Sequence, residues 1–266
     1  DILYMDEIDE PALSRYPEDA HVEFRNVSFA YNTTTILKEV SFTANPGTVT
    51  ALVGPSGAGK STIAMLAARF WDIQDGEILI GNVPIKEIPT SVLMDNIALV
   101  FQDNMLFFDT IEENIRMGNK TATFEDVKRA ACAAQCHEFI EALPDGYQTL
   151  VGEGGTYLSG GEMQRLALAR AILKDAPVIL LDEATAFADP ENEGKILEAF
   201  SHLIKGKTVL VIAHRLGTIT NADHILYLDK GMITEKGTHE ELLALHGAYA
   251  HMWKTYNRAK EWIIDR

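Results

Sequence analysis

The sequence predicts an α/β protein: a largely parallel sheet covered by helices, preceded by an antiparallel β subdomain and interrupted by a helical insertion. Three observations predict it. Residues 21–53 alternate apolar and polar side chains as strands do. From residue 61 onward, helical stretches alternate with short apolar runs. Between about 105 and 175 the pattern turns mostly helical.

The elements follow in order. The acidic opening Asp6-Glu-Ile-Asp-Glu-Pro11 reads as a solvated linker. Strands are expected at His21–Tyr31, Ile36–Thr43 and Thr48–Val53, with turns at Asn32–Thr35 and Asn45-Pro-Gly47. Ile63–Phe70 reads as the start of a helix. Later strands fall at Gly76–Ile80, Ile97–Val100, Val178–Leu181, Thr208–Ala213 and His224–Asp229. Tyr249, Trp253 and Tyr256 recur at helical spacing and read as core packing, with contact to another subunit as the alternative; Trp262-Ile-Ile264 follows them. The chain shows neither an internal repeat nor a low-complexity tract.

Composition excludes several classes. The 266 residues carry 39 acids and 23 bases, a net charge of −16. A general nucleic-acid binder needs a basic face, so no nucleic-acid partner is expected. No apolar run approaches the ~20 residues that span a bilayer. No signal peptide is expected. The chain begins at Asp1 without an initiator Met, as a fragment of a longer polypeptide would. Cys132 and Cys136 are the only cysteines, so a disulfide framework is excluded and a reducing, cytosolic setting fits. They stand four apart in the apparently helical stretch Phe124–Leu143. They are expected on one face as small buried apolar residues, since no other Cys or His pair stands at ligand spacing.

One stretch is far more specific. Gly54-Pro-Ser-Gly-Ala-Gly-Lys-Ser-Thr62 matches G-x-x-x-x-G-K-[ST], the phosphate-binding loop. Gly54, Gly57 and Gly59 let backbone N–H groups turn inward around an anion. Ser56 and Ala58 belong to the same cradle, and so does Pro55, which has no N–H of its own. Lys60 reaches the β/γ-phosphates and the Ser61 hydroxyl can sit on Mg²⁺, with Thr62 following. A strand precedes the loop and a helix follows it, so the helix N-terminus adds partial positive charge. The overall negative charge does not oppose this, because the loop works through local dipoles and one lysine.

Two further stretches complete a pattern. Val178-Ile-Leu-Leu-Asp-Glu183 is a buried strand that ends in paired acids. Asp182 can hold a Mg²⁺ shell, and Glu183 can orient or deprotonate an attacking water. Leu158-Ser-Gly-Gly-Glu-Met-Gln-Arg165 places Ser159, Gly160 and Gly161 at the mouth of a helix over Glu162–Leu173, a second anion-binding helix end.

With these three motifs the chain resembles the ATP-binding cassette (ABC) family over about residues 20–250. The resemblance implies a P-loop NTPase (RecA-like) core with an N-terminal antiparallel β subdomain and a helical subdomain at about 105–175. It implies ATP and Mg²⁺ as ligands. It also implies a head-to-tail dimer with an identical or related domain, in which the signature Ser159–Gly161 of one copy covers the γ-phosphate held by the other. Tyr31 matches the aromatic expected to stack on adenine. Gln102 matches the Q-loop residue, a sensor between Mg²⁺, water and the transport domain. Asp189 matches the D-loop aspartate, and His214 the switch histidine expected to touch the γ-phosphate.

The resemblance is to exporters. Leu143-Pro-Asp-Gly-Tyr147 with Thr149–Gly155 is similar to the X-loop that contacts the membrane domain; Thr110–Ile115 and Glu235–His239 are also similar to exporter-type cassettes. Residues 1–19 resemble the linker that follows a transmembrane domain on the same polypeptide, which places the chain at the cytoplasmic face of a membrane. Residues 251–266 are expected to be a helical tail. Three positions depart from the family pattern. Ala186-Phe-Ala-Asp189 lacks the usual D-loop serine, Glu162 stands for the usual Gln, and Gly154 for the usual X-loop Arg. Glu162 is expected to put an unfavourable charge near the γ-phosphate unless its side chain points away. A regulatory low-turnover half of a heterodimer, an exporter-shaped importer and a soluble non-transport ATPase remain alternatives.

Overall fold

A computed structural model of the chain describes residues 10–11, 14–101, 105–182, 190–213 and 219–264. They form two compact units. One comprises the residues up to 97 and those from 208 onward; the other comprises 98–207.

The first unit opens with a hairpin of β1 (Val22–Tyr31) and β2 (Thr34–Ala44), paired antiparallel from Val22 opposite Ala44 to Tyr31 opposite Thr34. The turn is shorter than the sequence suggests, because Thr34 and Thr35 already pair and only Asn32 and Thr33 lie between the strands. The buried positions of β1 are Val22, Phe24, Val27 and Phe29, so the strict alternation slips by one residue. A bulge explains the slip. Asn26 takes φ +49, a conformation short amide side chains tolerate, and the register shifts there. The Asn26 N–H donates to Ser41 Oγ at 2.8 Å, and Ser41 Oγ donates back to Asn26 Oδ1 at 3.0 Å.

β3 (Val49–Val53) leads into α1 (Lys60–Ala67). β4 (Asp75–Ile80) pairs antiparallel with β1, β5 (Val83–Pro84) pairs with β4, and α2 (Thr90–Asn96) follows. The antiparallel sheet therefore runs β2-β1-β4-β5.

The second unit contains β6 (Ile97–Val100), β7 (Asp109–Thr110), α3 (Ile111–Arg116), α4 (Phe124–Ala133), α5 (His137–Glu141), β8 (Leu150–Val151), α6 (Gly160–Lys174), β9 (Val178–Asp182) and α7 (Pro190–Ile204). β6 lies beside β9, and β7 pairs antiparallel with β8. The stretch Phe124–Leu143 is not one helix. Gln135 adopts φ +55, and the N–H groups of Gln135 and Cys136 donate back to Cys132 O and Ala131 O. This is a Schellman closure. It breaks the shared face expected of the two cysteines: Cys136 is buried and Cys132 is exposed. Burial pushes the Cys136 thiol well above its usual range.

The chain then returns to the first unit with β10 (Thr208–Ile212), β11 (His224–Asp229), β12 (Met232–Gly237), α8 (His239–Ala244) and α9 (Ala248–Ile264). β3 lies between β10 and β11, parallel to both, and β12 runs antiparallel on the outer side of β11. A strand buried on both faces reads as an unbroken apolar run, and Ala51, Leu52 and Val53 are fully buried. β12 carries no such run; the turn at Lys230 (φ +48) and Gly231 (φ +81) creates it. Tyr249, in the first turn of α9, is fully buried, with Trp253 and Tyr256 packed on the same core. Among the described residues, no helix is long and apolar enough to cross a membrane.

Candidate functional site

The loop after β3 has the conformation the glycines predict. Gly54 (φ +139), Gly57 (φ +77) and Gly59 (φ +103) lie in backbone regions that side-chain-bearing residues rarely enter. At Gly54 sterics add to this, since a Cβ would stand 2.0 Å from the Leu228 carbonyl oxygen. The loop closes around a buried lysine. Lys60 Nζ donates to the carbonyl oxygens of Gly54 and Pro55, at 2.9 Å each. The Ala58 N–H donates to Pro55 O, tightening the turn.

The loop residues are not equally enclosed. Pro55, Ser56 and Gly57 form an exposed crest, whereas Ala58, Gly59 and Lys60 are buried beneath it. Ser56, expected in the cradle, therefore stands on its rim, where its contribution is a backbone N–H on the open side. α1 begins directly at Lys60, and its N-cap residue, Gly59, makes no side-chain cap. A helix leaves its first N–H groups without intrahelical partners, so the positive dipole end of α1 faces into the loop. Ser61 is half-buried in the first turn and Thr62 is buried.

Tyr31 ends β1 within the same unit. Its ring meets Phe29 edge-on at 4.8 Å and Trp71 at 5.2 Å, and its hydroxyl faces Met65 Sδ of α1 at 3.9 Å. The ring is therefore held between a strand and α1 while staying partly exposed. Trp71, also partly exposed, is a neighbour that motif matching did not identify; only its place just after the helix hinted at it.

In the second unit, Val178–Leu181 is buried and Asp182, at the strand's end, is half-exposed. Gln102, Glu183, Asp189 and His214, together with the D-loop departure Ala186-Phe-Ala188, lie outside the described residues.

The signature residues stand where the sequence places them, at the start of α6. Ser159 is its N-cap, Gly160 and Gly161 its first residues. Glu162 does not project a free charge from that end. Its Oε2 accepts from the Ser159 N–H at 2.7 Å and from the Ser159 hydroxyl at 2.8 Å, while the Glu162 N–H donates to Ser159 Oγ at 3.3 Å. This is a complete capping box. The Ser-x-x-Glu spacing was a readable signal for it. The hydroxyl expected to face phosphate is thus committed to a carboxylate. Gly154 takes φ +87 with open space around it, so an arginine there would be strained by its backbone and not by its neighbours.

A buried strand feeding a glycine loop, and that loop wrapped on a lysine at the foot of a helix, make this chain a P-loop NTPase. The sequence also matches the ABC transporter family over residues 37–186, and the chain belongs to that family. Its fold is that of an ABC transporter nucleotide-binding domain with a P-loop NTPase core. It is 47% identical over 238 residues to an ATP-dependent lipid A-core flippase of Desulfotalea psychrophila, covering 90% of this chain and 42% of the flippase. It is 51% identical over 237 residues to a mycobactin import ATP-binding/permease protein of Mycobacterium tuberculosis, covering 89% of this chain and 28% of that protein. A solved structure of a bacterial Atm1-family ABC exporter with ATP bound superimposes with a TM-score of 0.87 at 43% identity, covering 94% of this chain and 44% of the exporter. The chain thus spans less than half the length of these relatives.

Proposed function

We propose that this domain hydrolyses ATP to drive a membrane exporter, as one half of a head-to-tail pair whose partner is identical or related. The observation that carries the reading is the glycine loop closed on buried Lys60 at the uncapped mouth of α1. In this reading the backbone from Gly54 through Ser56 to Thr62 cradles the phosphates, Lys60 neutralises the β/γ-oxygens and Tyr31 stacks on adenine. Ser61, Gln102 and Asp182 would hold Mg²⁺. The donors present at Ser61 and Asp182, a hydroxyl and a carboxylate, are the hard oxygens that ion prefers. When bound, Mg²⁺ neutralises charge developing between the β- and γ-phosphates. Glu183 orients or deprotonates the attacking water, and His214 contacts the γ-phosphate. Ser159, Gly160 and Gly161 of the opposing copy close over that phosphate, with Asp189 across the interface.

A transmembrane domain on the same polypeptide, N-terminal to residues 1–19, is the proposed partner. The proposed location is the cytoplasmic face of a membrane. The relatives named as ATP-binding/permease proteins, all of them much longer than this chain, support this. Residues 20–250 are the proposed nucleotide-binding domain, with 251–266 its helical tail. A second reading, import through the same architecture, is favoured by the 51% identity to a mycobactin importer.

The test is steady-state ATP turnover by the chain alone and assembled with its membrane partner, for wild type and Glu183→Gln. Turnover that rises on assembly and vanishes in the variant is expected. Tight ATP binding without Glu183-dependent turnover would make this chain the regulatory half of an asymmetric pair instead.

A further inference from the structure

We propose that Asn114 and Arg170 are positioning residues that clamp the segment 105–110 to helix α6, so that the Ser159 end of α6 follows that segment when it is displaced. The inference rests on the motor reading above. Asn114 falls in the exporter-like stretch Thr110–Ile115, whereas Arg170 lies in none of the motifs above.

Asn114 is almost completely buried, at 1% exposure, yet all its polar atoms are used. Its Nδ2 donates to the carbonyl oxygens of Phe107 at 3.0 Å, Thr110 at 3.0 Å and Asp109 at 3.4 Å. Its Oδ1 accepts from the Phe107 N–H at 2.9 Å. One amide therefore grips the backbone of 107–110 in both hydrogen-bonding senses. Arg170 grips Asn114 in turn. Its Nε donates to Asn114 O at 2.9 Å and its Nη2 to Asn114 Oδ1 at 3.2 Å, while Nη1 reaches Met105 O at 3.4 Å. Burial holds the Arg170 guanidinium below its usual pKa range.

A buried polar group costs stability unless it is satisfied, so a network this complete specifies one arrangement. The backbones are also close-packed. A Cβ on Gly118, just beyond α3, would stand 2.2 Å from Arg170 O. A Cβ on Gly152 would stand 2.6 Å from the Phe107 carbonyl carbon. The segment is thus held by α6 on one side and by the 149–155 loop on the other.

The same segment exposes Met105, Phe107 and Phe108. These apolar side chains are where a membrane domain would press. Arg170 and Ser159 belong to one 15-residue helix and its N-cap, a rigid rod. Displacement of 105–110 therefore passes through Asn114 and Arg170 into α6, and along α6 to the signature serine.

The test uses the full-length protein containing this chain, reconstituted in lipid, with Asn114→Ala and Arg170→Lys variants. Arg170→Lys keeps charge and most of the bulk but cannot span three acceptors. Two quantities are read: hydrogen exchange of the 105–110 amides, and kcat and KM for ATP. Exchange at Phe107 should rise about tenfold, the factor that loss of one net hydrogen bond implies, with α6 amides unchanged. KM should stay within about twofold while kcat falls at least about fivefold, the size of a typical coupling effect.

Wild-type kcat with a loosened segment would overturn the proposal, as would unchanged exchange. So would full activity in Arg170→Lys, or a joint rise in KM and in exchange throughout α6, which marks a merely structural role. Failure of the motor reading is seen separately, as wild-type turnover that ignores Glu183→Gln.

Discussion

The helices α1 and α6 both open from glycine-bearing loops, and they begin differently. α1 starts at Lys60 behind Gly59, and no side chain caps it. α6 starts behind Ser159, and Glu162 turns back to close it with three hydrogen bonds. The same box closes α4 through Thr123 and Asp126, and α8 through Thr238 and Glu241. The short helices α2 and α5, behind Pro89 and Cys136, also lack a side-chain cap, but neither opens from a glycine loop. α1 alone among the described helices joins an uncapped end to such a loop and to a lysine at its foot. That end is already arranged for an anion. A self-capped end must exchange a partner before its hydroxyl can serve a phosphate. In the proposed pair, the first mouth holds ATP and the second responds to it.

Four substitutions test this contrast. The largest effect is expected from Lys60→Ala. It removes the only side-chain charge inside the loop, along with its two bonds to Gly54 O and Pro55 O. Loss of a desolvated charge partner costs about 3 kcal/mol, so ATP affinity should fall roughly a hundredfold by calorimetry. Gly54→Ala comes next. Its Cβ would lie 2.0 Å from a backbone oxygen, at a φ of +139. Thermal or chemical unfolding should register about 2–3 kcal/mol of lost stability, more than at Gly57, where the space is open and only the φ of +77 strains a side chain. Ser159→Ala removes a cap, and should cost about 1 kcal/mol of stability together with most of the ATP-driven association, while leaving ATP affinity of the single domain unchanged.

Glu162→Gln should have the smallest effect. Glutamine also completes a capping box, so unfolding should move by less than about 0.5 kcal/mol. Removing the carboxylate frees the serine proton and one negative charge, and ATP-driven association should tighten about two- to fivefold, an effect that high salt diminishes. Weaker association in Glu162→Gln would contradict the idea that the self-cap competes with phosphate.

The sequence made the α1 end legible because phosphate chemistry fixes spacing there: glycines where φ is positive, lysine where charge is needed. The motif treats Ser56 and Ala58 alike, though, and only the fold separates the exposed rim from the buried floor. The α6 end was half legible. The sequence puts Ser159-Gly-Gly at the mouth of α6 and leaves open whether Glu162 faces the phosphate or points away, although the Ser-x-x-Glu spacing describes a cap. The bulge at Asn26 was invisible to a strict period of two, although an apolar spacing of two, three, two marks it. The stop at Gln135 had no local signal, since glutamine is a good helix former and its φ of +55 is imposed by the Schellman bonds and the burial of Cys136. Asn114 and Arg170 were hidden for another reason. Their partners are backbone atoms brought together by the fold, and backbone leaves no trace in residue identity.

In the proposed pair, the α1 mouth of one copy and the α6 mouth of another meet on the same ATP. Sedimentation equilibrium of the Glu183→Gln chain tests it most directly, with and without Mg²⁺ and saturating ATP. A monomer is expected without nucleotide, a dimer with it, and a monomer again when Ser159→Ala is added. A chain that binds ATP tightly yet stays monomeric, beside identical and related partner domains alike, would contradict it.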